Sequence, residues 1–263
     1  IDHAYQEIYD EQSGGVLCRT VDEIIQAKNE GKVAFMFTME GAGPIGEDLS
    51  LLRNFYRLGL RSVILTWFKA NPTADGVGER RNGGLSEFGK QLIEEMDALG
   101  VLIDITQSSP RTIDDVFDVS KKPVIASHSN ASGYYPHRRN LTDEQIRKLA
   151  ERGGLIGITC FPAHVHDEPS LEHFFNHIDY CVNLAGIESV GIGLNIVVHE
   201  SDDAVAFYER SKIEYSSLAL PGLENIEKMP VITKGLIARG YREDEIRKIM
   251  GGNLLRVLRE VVG

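Results

Sequence analysis

The sequence has 263 residues, of which 42% are hydrophobic and 25% are charged, and its formal net charge is −11. This composition is typical of a globular protein with one large core. The acidic balance, with a pI near 5.2, argues against nucleic acid and anionic membrane surfaces as partners and favours small molecules or peptides.

The cysteines and the lengths of the apolar runs indicate the cellular compartment. Cys18, Cys160 and Cys181 are far apart, odd in number and embedded in apolar stretches, which predicts buried thiols and a cytoplasmic location. No apolar run approaches the length that crosses a bilayer, and the first residues do not look like a signal peptide. We therefore expect no membrane association.

Six short runs rich in Val and Ile alternate with amphipathic segments. They are residues 33–40, 62–67, 100–106, 123–128, 154–161 and 190–195. Continuous apolar strands separated by helices predict a parallel sheet that is covered on both faces.

Helix signals lie between these runs. Ser86 precedes a helical pattern that Gly100 ends, and Thr142 opens a helix that continues to about Arg152. The chain begins inside a helix and ends in helices at about 226–239, 242–250 and 253–262. Residues 201–221 lack periodicity and are interpreted as a long loop after the last strand.

Polar residues lie where the predicted strands end, each at the last residue or one residue past it. They are Glu40, Trp67, Gln107, His128 and Asn195. Barrels and open α/β sheets both place their sites at the carboxyl ends of strands. A closed eight-stranded barrel needs two more strands than the six predicted, so either two are missing at the N-terminus or two were overlooked.

Nine ordered motifs carry a resemblance from about Asp22 to the C-terminus. They lie at 40–42, 65–67, 84–89, 100–104, 127–130, 138–143, 177–180, 191–193 and 251–256. On these motifs the sequence resembles the renal (membrane) dipeptidase family. The resemblance implies a TIM-type (β/α)₈ barrel of the metal-dependent hydrolase kind, a single domain over residues 1–263 that lacks the first two strands. It also implies a dipeptide substrate and a homodimer.

Active members of this family use two zinc ions, held by a His-x-Asp pair, a bridging Glu and two later histidines. By resemblance, Glu40 matches the bridging carboxylate and His128 matches one later histidine. Gln107 stands in the place of the other histidine, and a neutral amide oxygen is a poor zinc ligand. The His-x-Asp pair is absent, so the metal site is expected to be degraded.

Three further positions follow from the resemblance. Asn195 matches an Asp that contacts the substrate amine, and an amide cannot accept its proton. Trp67 stands where many members have a histidine that stabilises the oxyanion, although Trp also resembles a bacterial branch of the family. Arg139 matches the arginine that pairs with the substrate carboxylate, for which a guanidinium fork is suited.

These matches leave three functional interpretations open. The first is a zinc dipeptidase with a degraded metal site whose other ligands lie outside this sequence. The second is a metal-free, inactive relative that binds a small carboxylate ligand or a protein partner. The third is a single metal on Glu40 and His128 with Gln107 as an auxiliary donor. A local histidine cluster is interpreted as structural: His164, His166, His173 and His177.

Overall fold

The computed structural model describes residues 1–10, 13–196 and 219–263. Six of its strands form one parallel sheet in chain order, from β3 to β8. They are β3 (Phe37–Glu40), β4 (Leu60–Ile64), β5 (Leu102–Asp104), β6 (Ile125–Ser129), β7 (Leu155–Ile158) and β8 (Val190–Ile192). Each of the six predicted runs overlaps one of these strands, and four of the runs contain their strand whole; β4 begins two residues before its run, and β6 ends one residue after its run.

The first predicted run divides into two strands. Val33–Phe35 (β2) pairs in parallel with Gly15–Leu17 (β1) in a separate two-stranded sheet. β3 begins at Phe37 and pairs with β4, with a register shift between Phe37 and Thr38. One continuous apolar run therefore contributes a strand to each of two sheets.

Helices occupy the segments between the strands and the C-terminal region. They are α1 (Asp2–Ile8), α2 (Val21–Asn29), α3 (Leu49–Arg57), α4 (Glu87–Leu99), α5 (Pro110–Val119), α6 (Asp143–Glu151), α7 (Pro162–Val165), α8 (Leu171–Ala185), α9 (Pro230–Ala238), α10 (Glu243–Arg247) and α11 (Asn253–Val261). The predicted loop at 201–221 lies almost wholly outside the described residues.

Two helix boundaries form as their residue types predict. The Ser86 side chain accepts a hydrogen bond from the Gly89 amide at the start of α4, and Gly100 ends that helix in the left-handed conformation. Thr142 and Gln145 form a reciprocal capping box at the start of α6. These local signals fix where the connecting segments leave the helices.

The chain divides into two compact units, one of Ile1–Ile125 with Leu254–Gly263 and the other of Ala126–Asn253. The core of the first unit includes the fully buried Val63, Ile93 and Met96. The second unit has its own core, which includes Ile156, Phe174 and Ile178 with no exposed surface.

The three cysteines are buried free thiols, as predicted. Burial raises the pKa of the Cys160 thiol to about 12, so this side chain stays protonated. Within the described parts of the chain, no helix combines the length and the apolar character that a membrane crossing requires.

Candidate active site

Two of the predicted metal ligands meet in the first unit. Glu40 is the last residue of β3 and is exposed, while Gln107 is buried and follows β5 by three residues. The Gln107 side-chain amide donates a hydrogen bond to the Glu40 carboxylate. The structure therefore brings these two side chains into contact.

The backbone of Gln107 is held in an uncommon conformation. Its φ is +66°, in the left-handed region that residues other than glycine seldom occupy. The Gln107 carbonyl accepts hydrogen bonds from the Val77 amide at 2.7 Å and from the Thr66 hydroxyl at 3.2 Å. These contacts stabilise a conformation that costs about 1–3 kcal/mol elsewhere, and they aim the side chain at Glu40.

Trp67 lies beside the backbone that follows Glu40. Gly41 has a φ of +90°, and a Cβ atom there would lie 3.3 Å from the Trp67 Cβ. Glycine at this position therefore permits both the left-handed backbone and the close approach of Trp67. The Trp67 side chain is half-buried, three residues past β4.

His128 lies within β6, in the second unit, and is half-buried. Its Nδ1 atom is 2.9 Å from the Ser127 hydroxyl. Burial, together with the positive charge of Arg139, lowers the pKa of His128 to about 3. The imidazole is therefore neutral near pH 7, the form that can bind a metal or accept a proton.

Arg139 is buried in the loop that follows β6, with 8% of its surface exposed. Two asparagine side chains fasten this loop to one point: both Asn130 and Asn140 donate to the His164 carbonyl, at 3.0 Å in each case. Asn140 also donates to the Tyr135 carbonyl at 2.9 Å. The two asparagines of the predicted motifs thus hold the polypeptide on either side of the Arg139 loop.

Asn195 is exposed and has a φ of +53°. Asparagine tolerates this left-handed conformation better than most residues. Trp67, Gln107 and Asn195 each lie three residues past the end of a strand, not at the end or one residue beyond it as predicted. The strands are shorter than the apolar runs, which explains the difference.

The predicted histidine cluster forms one aromatic group in the second unit. The rings of His166 and His173 stack with their centroids 3.7 Å apart and their planes at 4°. Tyr134 adds a ring edge against His177 at 4.7 Å, a contact that sequence reasoning missed. Among the described residues, no group of three or more His, Cys, Asp or Glu side chains is arranged to hold a metal ion.

Among the residues that the structure describes, Glu40 and Gln107 are hydrogen-bonded to each other and are not arranged as ligands of two zinc ions. Glu40 would be the carboxylate that holds a pair of zinc ions, yet Gln107 donates an amide N–H to that carboxylate. Glu40 and Gln107 supply one carboxylate and one neutral amide, which is a weaker donor set than zinc usually takes.

Polar side chains beyond the strand ends of a parallel α/β sheet lie where barrels and open α/β enzymes carry their active sites. The sequence profile described as "Membrane dipeptidase (Peptidase family M19)" matches residues 1–203 and 213–262. The chain therefore belongs to the membrane dipeptidase family, which confirms both the resemblance and the predicted fold class.

Known relatives agree with this assignment. "Dipeptidase aclJ" of Aspergillus oryzae is 33% identical over 237 residues, which are 88% of this chain and 52% of the relative. An amidohydrolase from Pseudomonas aeruginosa has a TM-score of 0.94 at 28% identity, over 100% of this chain and 83% of that one. The chain spans about half the length of the curated relatives it matches.

A third relative was solved with a ligand. It is a metallo peptidase from Rhodobacter sphaeroides bound to a phosphinate mimic of the dipeptide L-Ala-D-Ala. Its TM-score is 0.83 at 28% identity, over 95% of this chain and 70% of that chain. Six barrel-type strands in the described residues are consistent with part of this architecture.

Proposed function

We propose that this protein acts on dipeptides, hydrolysing their amide bond through a metal site weaker than the binuclear zinc centre that the family resemblance implies. The observation that carries the proposal is the buried Arg139 in a loop fastened at Asn130 and Asn140. A buried guanidinium suits the carboxylate end of a dipeptide. The ligand of the Rhodobacter relative, a dipeptide mimic, supports the same substrate class.

The weakened metal site follows from Gln107. Zinc binds imidazole and thiolate far better than a neutral amide, and this amide already donates to Glu40. Asn195 lowers the expected rate by a separate route, because its side chain offers the substrate amine no negative charge and accepts no proton near pH 7. Efficient hydrolysis would need metal ligands in addition to Glu40, Gln107 and His128.

The first test restores a histidine. With zinc present, Gln107→His should raise the rate of L-Ala-D-Ala hydrolysis roughly tenfold or more, because an imidazole replaces a weak ligand. Gln26→His is the matched control: Gln26 also donates to a carboxylate, Glu30, at 2.8 Å, but on the exposed face of α2. An equal response in both variants would contradict the role of Gln107.

The second test concerns the carboxylate. Arg139→Lys should raise the KM for L-Ala-D-Ala roughly tenfold with a smaller change in kcat, because an ammonium cannot form the bidentate contact. Arg138→Lys is the neighbouring control, since Arg138 is exposed. Unchanged KM in the Arg139 variant would refute carboxylate recognition by this residue.

A second candidate function is a metal-free protein that binds a small carboxylate ligand or a protein partner. The hydrogen bond from Gln107 favours it, because an amide satisfies Glu40 without a cation. Calorimetry with L-Ala-D-Ala in the presence of a chelator distinguishes the two. Binding in the presence of the chelator, together with no hydrolysis when zinc is supplied instead, would select the second function. No binding with the chelator or with zinc would refute the dipeptidase and the binding of a small carboxylate ligand.

A further inference from the structure

The loop that carries Arg139 is joined to α8 through the stacked histidines. His166 follows the last residue of α7, and His173 lies in the first turn of α8. Both side chains are half-buried, so solvent protons reach them. Their parallel rings, 3.7 Å apart, place two titratable groups in direct contact.

Hydrogen bonds fix where the protons of this pair lie. The Glu168 amide donates to Nδ1 of His166 at 3.1 Å, so that nitrogen carries no proton. Nδ1 of His173 lies 2.5 Å from the Tyr134 hydroxyl, which also accepts from the Asn176 amide at 3.0 Å. With its oxygen accepting from Asn176, Tyr134 has its hydrogen available for His173. Both contacts suit neutral imidazoles.

The pair contacts the Arg139 loop at two tyrosines. Tyr134 bonds to His173, and its ring edge packs on His177. Tyr135 donates to the Asp167 carboxylate at 2.8 Å, and its ring centroid is 5.2 Å from that of His166. The segment from α7 to α8 therefore contacts the loop through both members of the histidine pair.

We propose that the neutral His166–His173 pair positions the Arg139 loop, and that protonation of the pair releases the loop, so that carboxylate ligands bind less tightly in acid. A proton on Nδ1 of His166 would face the Glu168 N–H, donor against donor. Two stacked cations would also repel each other. The ligand-binding consequence rests on the proposed function, whereas the release of the loop does not.

The titratable groups around the pair come from the loop, from α7, from the α7–α8 connection and from α8. They are His137, His164, Asp167, Glu168, Glu172 and His177. Burial lowers the pKa of His164 well below its ordinary value and that of His177 to about 4, so both of these side chains resist protonation. Glu172 is engaged by Arg239, at 2.6 Å.

His137 is a competing sensor that the test must separate. Its Nδ1 atom accepts a hydrogen bond from the Arg139 amide at 3.2 Å, so its protonation would also disturb the loop. His137→Gln therefore serves as a comparison variant.

The experiment measures backbone hydrogen exchange of residues 131–141 in the full chain at about pH 7.5 and about pH 5.5, corrected for intrinsic exchange chemistry. We expect roughly tenfold less protection at the lower pH, the equivalent of losing one hydrogen bond. The double variant His166→Gln with His173→Gln should lose this pH dependence, because glutamine keeps polar contacts and takes no proton. His3→Gln, on the exposed side of α1, should retain it.

The outcomes separate the possibilities. Wild-type pH dependence that persists in the double variant, or that disappears in His137→Gln, would overturn the proposal. If the double variant does not fold, the single variant His173→Gln should still lose at least half of the effect. The affinity for L-Ala-D-Ala at both pH values then tests whether release of the loop weakens ligand binding. Release of the loop in a protein that binds no dipeptide would refute the proposed function and leave the role of the histidine pair standing.

Discussion

The buried His177 makes the stability of the second unit depend on pH. This side chain has no exposed surface, its Nε2 atom donates to the Val165 carbonyl at 3.0 Å, and burial lowers its pKa from 6.5 to about 4. As the pH falls below 6.5, the unfolded chain binds a proton at this histidine and the folded chain does not. The stabilisation is therefore complete above about pH 6.5 and is lost as the pH falls to about 4.

The magnitude follows from the same two values. At about 1.4 kcal/mol per pKa unit, the gap between 6.5 and about 4 corresponds to about 3 kcal/mol in the free energy of unfolding. Urea unfolding followed by circular dichroism from about pH 7.5 to about pH 4 measures this loss. His177→Gln should lower stability at pH 7.5 by about 1–2 kcal/mol, yet lose about 3 kcal/mol less than wild type on acidification.

Other buried histidines contribute equally to the stability of wild type and of His177→Gln, so the difference between the pH profiles of these two proteins isolates the contribution of His177. The exposed His3→Gln variant should follow the wild-type profile. Parallel profiles for wild type and His177→Gln would refute the reasoning, because they would mean that His177 binds its proton equally well in the folded and unfolded chains.

Two further predictions concern packing and an ion pair. A Cβ atom at Gly157 would overlap the Ser127 carbonyl oxygen, so Gly157→Ala should lower the free energy of unfolding by about 3 kcal/mol. Gly43→Ala is the control and should change this free energy by less than about 0.5 kcal/mol, because a Cβ atom at Gly43 has no neighbour within 4 Å. Equal urea midpoints for the two variants would contradict this prediction. Asp179 accepts a hydrogen bond from the half-buried Arg239. Asp179→Asn should therefore lower the free energy of unfolding by about 1 kcal/mol and remove the part of that free energy that depends on salt concentration. A variant as stable as wild type at low ionic strength would show that the ion pair contributes nothing.

Local signals predicted local structure well. The Ser86 and Thr142 caps, and Gly100 at the end of α4, depend on hydrogen bonds between residues a few positions apart, so the sequence contains all that is needed. The division of residues 33–40 into β2 and β3 was not predictable in the same way. Strand pairing with β1 on one side and β4 on the other is decided by residues distant in sequence.

The candidate site shows a similar division. The resemblance identified Glu40 and Gln107, and the structure joins them, but their hydrogen bond depends on the left-handed backbone at Gln107 that Val77 and Thr66 stabilise. No periodicity or motif encodes that conformation for a glutamine. The contact between Tyr134 and the histidine cluster was missed for the same reason, because it joins the loop after β6 to α8 through tertiary packing.

The central claim is that a member of the membrane dipeptidase family has a metal site weakened at Gln107. Elemental analysis of the purified chain after dialysis against dilute zinc, with its intact mass, tests this most directly. We predict well below two zinc ions per chain, with a higher ratio in Gln107→His and no increase in Gln26→His. About two zinc ions per wild-type chain would contradict the account, because the donor set at Glu40 would then be sufficient for a binuclear centre.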